Sequence, residues 1–333
     1  MSNMNTQILI TELPKDKLSE SHFAAREVAI PKPSDGEVLV KTRYLSLDAA
    51  NRAWMQGATY KAALESGEVM QGGTLSEVVE SKHADFSTGD IVESSSGWQQ
   101  YAVHKPNELG KIAVRGTLPN HLSVFGVSGL TAYFGLLKCG RPVEGETLVV
   151  SAAAGAAGNF VGQIGKIKGC RVVGIAGSDE KCAWLTGELG FDAAINYKTT
   201  NVAKGLAEHC PNGIDVYFDN VGGDILEAVL FQMNLNGRIA CCGAVSQYDT
   251  GTPQPGPRGV PGLIVVKRLT LQGFIVSDYY AERQQATDEM AQWLSEGKLK
   301  VTEDIIEGIE NAPNALIGLL NGENTGKRMI HVS

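Results

Sequence analysis

From Gly129 onward the chain alternates short apolar runs with segments of helical period, and no other feature narrows its possible folds so far. ETLVVSAA (146–153), RVVGIAG (171–177), AAINY (193–197), IDVYFDN (214–220), RIACCGA (238–244) and LTLQGFIV (269–276) read as strands. LTAYFGLLKCG (130–140), NFVGQIGKIKG (159–169), DEKCAWLTGELG (179–190), Val202–His209 and a stretch from about Asp224 to Met233 read as helices. Strands regularly interleaved with helices build βαβ units, so residues 125–299 are expected to be an α/β domain with a doubly wound parallel sheet covered on both faces.

The first 124 residues are different. EVLVKT (37–42), SEVVE (76–80), Asp90–Glu93 and Gln100–Val103 are short, β-branched runs cut by Gly, Pro and Asp, with one possible helix inside Ala49–Leu64. Helices follow over Ala281–Gly297 and near Ala312–Leu320, and the chain ends in the strand KRMIHVS (327–333). A lone strand needs a sheet to join, so residues 300–333 are expected to return to the β-rich domain formed by 1–124. Pro253, Pro255, Pro257 and Pro261 predict a surface loop over Tyr248–Leu263, either covering a site or serving as a linker or oligomer contact.

A length of 333 residues accommodates two domains, and a net charge of −8 gives no basic field for nucleic acid or anionic membrane. The N-terminus has no basic stretch followed by an apolar one, and no apolar run suits a membrane span. The cysteines at 139, 170, 182, 210, 241 and 242 form no metal-type spacing and read as reduced, mostly buried thiols of a cytoplasmic protein, with Cys241 and Cys242 packed in a core strand. His83, His104 and His121 stand apart from one another, and no metal is expected.

Chemistry concentrates where the strand ETLVV runs through Ala153-Ala154-Gly155-Ala156-Ala157-Gly158 into a helix. That is a dinucleotide fingerprint with its first glycine replaced by Ala153. Gly155 would let the backbone approach a pyrophosphate, and Gly158 would let the helix pack closely on the strand. The helix N-terminus would supply N–H groups and a positive dipole end to the phosphates. At the end of the next strand, where an acid would hold an NAD ribose, stand Gly177 and Ser178, with Lys181 in the following helical turn. A hydroxyl and an ammonium suit a 2′-phosphate, so NADP(H) is expected. Lys181 is also compatible with a solvated helix lysine.

GLTAYFGL, the modified glycine turn, GSDEK, NYK, FDNVGG, CGAVSQY and GENTGK, in this order, resemble the zinc-free NADPH-dependent enone and alkenal reductases of the medium-chain dehydrogenase/reductase family. This is the branch of the prostaglandin reductases and curcumin reductases. The resemblance implies a GroES-like fold for the β-rich domain and a homodimer. It implies that Ser178, Lys181 and Tyr197 hold the 2′-phosphate, that Asn220 and Gly243 lie along the cofactor, and that Thr131 stands near the nicotinamide. Phe274, Ile275 and Val276 would offer backbone groups to the nicotinamide amide, and Asn324 would reach the cofactor from the returning tail. The family's pocket segment is LSLDAANRAWM here, keeping Asp48 and placing Arg52 at the pocket, while a family tyrosine before the last sheet strand is Val266. Tyr248 matches the family and is the leading candidate to polarise a carbonyl. Tyr44, Tyr60 and Tyr279 are lesser ones, with packing as their simpler role.

The expected reaction is NADPH-dependent reduction of the C=C bond of α,β-unsaturated ketones and aldehydes, by hydride transfer to the β-carbon. It needs orientation and hydrogen bonds to a developing oxyanion, but no metal. An NADPH:quinone reductase and a non-catalytic NADPH-binding protein remain as alternatives.

Overall fold

The computed structural model describes residues 4–253 and 255–333. In the N-terminal part, β1 (Met4–Ile10) and β2 (Phe23–Ala29) pair antiparallel, and neither was legible as a strand in the sequence. β3 (Val38–Ser46), β4 (Thr74–Ser81), β5 (Ile91–Ser94), β6 (Tyr101–His104) and β7 (Gly110–Lys111) follow in one sheet, with the short helix α1 (Ala49–Trp54) between β3 and β4.

The middle of the chain runs α2 (Val127–Phe134), β8 (Thr147–Val150), α3 (Gly158–Ile167), β9 (Arg171–Ala176), α4 (Asp179–Gly187), β10 (Ala193–Asn196), α5 (Val202–His209), β11 (Ile214–Asp219), α6 (Gly223–Gln232), β12 (Met233–Cys241), α7 (Val260–Lys267), β13 (Thr270–Gly273) and α8 (Arg283–Ser295). Its six strands are all parallel, in the order β10-β9-β8-β11-β12-β13. This is the doubly wound Rossmann arrangement, with the reversal of direction between β8 and β11.

Alternation along each strand feeds two cores. Leu148, Val150, Val172, Val216, Phe218 and Ala240 pack with Phe160, Ile164, Met290 and Trp293 on one face. Val149, Val173, Tyr217 and Ile239 pack with Leu206, Val229 and Leu230 on the other. Successive side chains of a strand point to opposite faces, so apolar residues at consecutive positions require helices on both sides.

The chain closes with β14 (Glu303–Glu307), α9 (Ala312–Leu320) and β15 (Lys327–His331). β15 pairs parallel with β14 and antiparallel with β3, Ile330 opposite Leu45, so the terminal strand does rejoin the first sheet. Ile330, Val332 and Leu316 complete a core with Ile8, Ile10, Leu45 and Trp98.

Two expectations need correction. The breaker-rich segment is not a loop throughout: α7 starts at Val260, with Pro261 in its first turn, where a missing N–H and a fixed φ cost nothing. The last parallel strand stops at Gly273, which leaves Phe274, Ile275 and Val276 beyond the sheet's carboxyl edge.

Candidate active site

The glycine turn joins β8 to α3 at the switch point. A Cβ on Gly158 would lie 2.3 Å from the Ala152 carbonyl oxygen and 2.9 Å from Ala153 Cα, so the helix sits directly on the turn. Gly155 is different: a Cβ there would meet only the Ala152 oxygen, at 3.1 Å. Asn159, which sequence reasoning missed, donates from Nδ2 to the carbonyls of Gly155 (2.7 Å) and Ala156 (3.0 Å) and so fixes the turn from within.

At the end of β9, Ser178 caps α4, its Oγ accepting the Lys181 N–H at 3.3 Å. Lys181 Nζ donates to the Gly322 carbonyl at 2.7 Å. Burial, then the charges of Lys198 and Arg328, hold this ammonium below the usual lysine range, against a smaller opposing pull from Asp304. The Tyr197 hydroxyl stands 3.2 Å from the place a Gly177 Cβ would occupy. Of the two acids that open α4, Glu180 accepts a hydrogen bond from the Ser178 side chain, and Asp179 accepts one from Asn196 Nδ2 at 2.8 Å. Ser178, Lys181 and Tyr197 are thus brought together, and Lys198 joins them. Its position directly after Tyr197 was the available signal.

β8 and β11 are stitched at their carboxyl ends. Asn220 donates through Nδ2 to the Ser151 carbonyl (2.7 Å) and through its N–H to Ser151 Oγ (2.9 Å). Buried Asp219 Oδ1 accepts from the N–H groups of Val221 (3.0 Å) and Gly222 (2.8 Å) and from the Tyr217 hydroxyl (2.9 Å). Burial outweighs these bonds and raises the Asp219 carboxyl. Gly243 N–H donates to the Asp219 carbonyl at 3.1 Å. Thr131 lies half-buried on α2, which packs against α3.

Beyond β12 and β13 opens a cavity of about 520 Å³, lined by Cys241, Cys242, Gly243, Ala244, Tyr248, Gly273, Phe274, Ile275 and Asp278. Phe274 meets Phe218 edge-on at 6.1 Å, while Val276 begins a short 3-10 turn. Tyr248 Oη accepts the Ala244 N–H at 3.0 Å, leaving its own O–H to donate into the cavity. Burial raises this phenol above its ordinary value, as it does for Tyr60, whose neighbours include Asp48, Tyr248 and Cys242. Tyr60 also accepts from Trp54 Nε1 at 3.2 Å. Tyr44 packs on His331 at 4.9 Å and Tyr279 stacks on Phe134 at 5.2 Å, which leaves both as packing residues.

Cys241 and Cys242 pack against the two opposite cores of the sheet, as expected of neighbours in a strand. They are half-buried and also line the cavity, because β12 ends there; burial pushes their thiols up to about 11 and about 12. All six cysteines are free, three of them buried.

Arg52 is not at the pocket wall. It is fully buried, with Nε on Asp249 Oδ1 at 2.9 Å and Nη2 on the Asp16 carbonyl at 2.7 Å, because α1 turns that face toward residues 14–18. Asp48 caps α1 and meets the buried Lys327 Nζ at 2.5 Å. Val266 projects from α7 into solvent. The tail lies on the glycine turn: Gly326 N–H donates to the Ala154 carbonyl at 2.9 Å, and buried Asn324 Nδ2 donates to the Gly326 carbonyl at 2.9 Å.

Among the described residues no cluster of three or more His, Cys, Asp or Glu could hold a metal ion, and no helix is long and apolar enough to cross a membrane. His104 is engaged by Ser96 Oγ at 2.9 Å, and His121 by the Arg115 N–H at 2.9 Å.

Residues 6–112 match the family described as N-terminal domain of oxidoreductase, and residues 156–296 the family described as zinc-binding dehydrogenase. Among the described residues no side-chain cluster supplies the zinc site that the second description implies. The chain is 44% identical to the NADPH-dependent curcumin reductase of Escherichia coli, over 99% of this chain and 97% of that protein. It is 46% identical to prostaglandin reductase 1 of Bos taurus, over 94% of each. The crystal structure of CurA in complex with NADPH from Vibrio vulnificus superimposes with a TM-score of 0.94 at 42% identity, covering 98% of this chain and 99% of that one. The chain therefore belongs to the medium-chain dehydrogenase/reductase family, in the branch of the curcumin and prostaglandin reductases.

Proposed function

We propose that this protein is an NADPH-dependent oxidoreductase that reduces the C=C bond of α,β-unsaturated ketones and aldehydes without a metal. The observation that carries the reading is the Tyr248 hydroxyl, bound by a backbone N–H and lining a cavity at the carboxyl ends of β12 and β13. NADPH, when bound, supplies the hydride for the substrate's β-carbon. The turn Gly155-Ala156-Ala157-Gly158 and the α3 N-terminus hold the diphosphate. Ser178, Lys181, Tyr197 and Lys198 hold the 2′-phosphate. Thr131, Asn220, Gly243, Asn324 and the backbone of Phe274–Val276 line the path to the nicotinamide. Tyr248 donates to the substrate carbonyl oxygen as negative charge develops there, a role for which a raised phenol stays protonated at neutral pH.

The relatives named above, which act on curcumin and prostaglandins by their names, support this substrate class. The six-stranded parallel sheet, and the separate sheet in which β14 and β15 join β3, support the division of the chain into 1–124 with 300–333 and 125–299. Loss of NADPH absorbance with a medium-chain enone, a naphthoquinone and a simple ketone tests the reading. Fast turnover of the enone alone supports it. Preference for the quinone makes the protein a quinone reductase, and silence with all three leaves an NADPH-binding protein.

A homodimer is part of the same proposal. β13 ends the parallel sheet, and exposed Val265, Val266, Phe231 and Leu235 flank it. Edge strands beside apolar surface favour pairing with another chain. Light scattering should give twice the 35.4 kDa chain mass, falling to one chain in the double variant Val265→Glu, Val266→Glu. Free thiols fit a reducing compartment such as the cytoplasm, which imaging of a tagged chain tests.

A further inference from the structure

Residues on both sides of Tyr248 are tied to the N-terminal part of the chain. Asp249 Oδ1 accepts Arg52 Nε at 2.9 Å and the Leu18 N–H at 2.7 Å. Gly251 N–H donates to Asp16 Oδ1 at 3.2 Å, and Gln56 Nε2 donates to the Gln247 carbonyl at 3.1 Å. Contact is close enough that a Cβ on Gly251 would lie 2.5 Å from the Lys15 carbonyl oxygen. Arg52 also holds residues 14–16 through its second nitrogen, at the Asp16 carbonyl.

This arrangement is expensive as a device for stability alone. Arg52 is fully buried, and its Nη1 has no hydrogen-bond partner. A buried ion pair is often matched or bettered by apolar residues of similar volume. What the pair does supply is geometry. It fixes the residue next to Tyr248, while Ala244 fixes the hydroxyl itself at 3.0 Å. The loop between these anchors has little room to carry the phenol away from the cavity.

We propose that Arg52 and Asp249 are positioning residues for the Tyr248 hydroxyl, clamping the loop that bears it onto residues 14–18. The proposal rests on the reading that Tyr248 donates to the substrate carbonyl. Catalytic groups tolerate little displacement: about 1 Å of misplacement costs on the order of a hundredfold in rate.

The test is a double-mutant cycle. Asp249→Ala and Asp249→Asn are made in the wild type and in Tyr248→Phe, and kcat, KM for a medium-chain enone, NADPH affinity by fluorescence, and melting temperature are measured. Asp249→Ala should lower kcat roughly ten- to a hundredfold with NADPH affinity within about twofold. Asp249→Asn, which keeps an oxygen for Arg52 and Leu18, should lose less. It carries the comparison alone if the alanine variant does not fold. In the Tyr248→Phe background the loss should shrink to less than about twofold, because both changes act through one hydroxyl. Losses that multiply in the double variant, a loss that follows NADPH affinity, or an unchanged kcat overturns the proposal.

If Tyr248→Phe alone leaves kcat unchanged, the donor reading fails, and the clamp is then judged by the phenol's titration. The ultraviolet difference between each protein and its Tyr248→Phe partner reports that group. Asp249→Ala should move its midpoint down toward the ordinary 10.0; an unmoved midpoint overturns the clamp.

Discussion

Lys181 Nζ donates to the carbonyl oxygen of Gly322 at 2.7 Å, so the helix that follows β9 holds the segment that returns from α9. The ammonium is held by that carbonyl, one helical turn from Ser178, and is already partly desolvated. A hydrogen bond to a charged group contributes about 1.5–3 kcal/mol. Lys181→Ala should therefore weaken NADPH binding roughly ten- to a hundredfold and leave NADH within about twofold, as measured by fluorescence titration. The lysine is held below its ordinary 10.5, so NADPH affinity should be flat at neutral pH and fall as pH rises toward that value. NADH should show no such fall.

The two glycines of the turn should separate binding from folding. Gly158→Ala forces a Cβ to 2.3 Å from a backbone oxygen, so overpacking should cost about 1–3 kcal/mol and lower the melting temperature. Gly155→Ala meets only one oxygen, at 3.1 Å, and should melt near the wild type while binding NADPH at least tenfold more weakly, about 1.4 kcal/mol. Calorimetry with and without NADPH distinguishes the two.

Tyr248→Phe should lower kcat for enones about a hundredfold, the scale of one lost oxyanion donor, with NADPH affinity unchanged. Burial raises the phenol, so its donor form persists as pH rises past neutrality. The wild-type rate should then fall only above the ordinary phenol value of 10.0, a limb that the Phe variant lacks.

Lys327→Met should destabilise the protein by about 2 kcal/mol. That is less than the cost of breaking a fully buried pair, because Asp48 keeps 32% of its side-chain surface in solvent. Burial pushes Asp48 up, but Lys327 and the Ser46 hydroxyl outweigh it and hold the carboxyl below 3.8. A depressed acid contributes stability above its unfolded value. That contribution should be complete above about pH 5 and vanish as pH falls through the folded value. Acid unfolding of wild type and variant should converge there.

Local pattern was enough for the parallel sheet, the glycine turn and the choice of NADP(H). Each depends on neighbours in sequence: apolar runs such as Leu148–Val150 need both faces covered, and Gly158 must let a helix start directly after a strand. NADP(H) was readable because the acid expected at the end of the second strand is missing. The strands β1 and β2 were not readable, since their register comes from pairing across a gap of a dozen residues, with β2 mostly exposed. Arg52 was misplaced for a related reason. A helix of six residues has no periodicity long enough to say which side is buried, and its partner Asp249 lies 197 residues away. The sequence by itself determined the alternating elements of the parallel sheet and the nucleotide they suit, because those follow from side chains a few positions apart. Only tertiary structure decided that Cys241, Cys242 and Tyr248 share a cavity, that the tail rests on the glycine turn, and that Arg52 holds a loop instead of a substrate, because those contacts join segments distant along the chain.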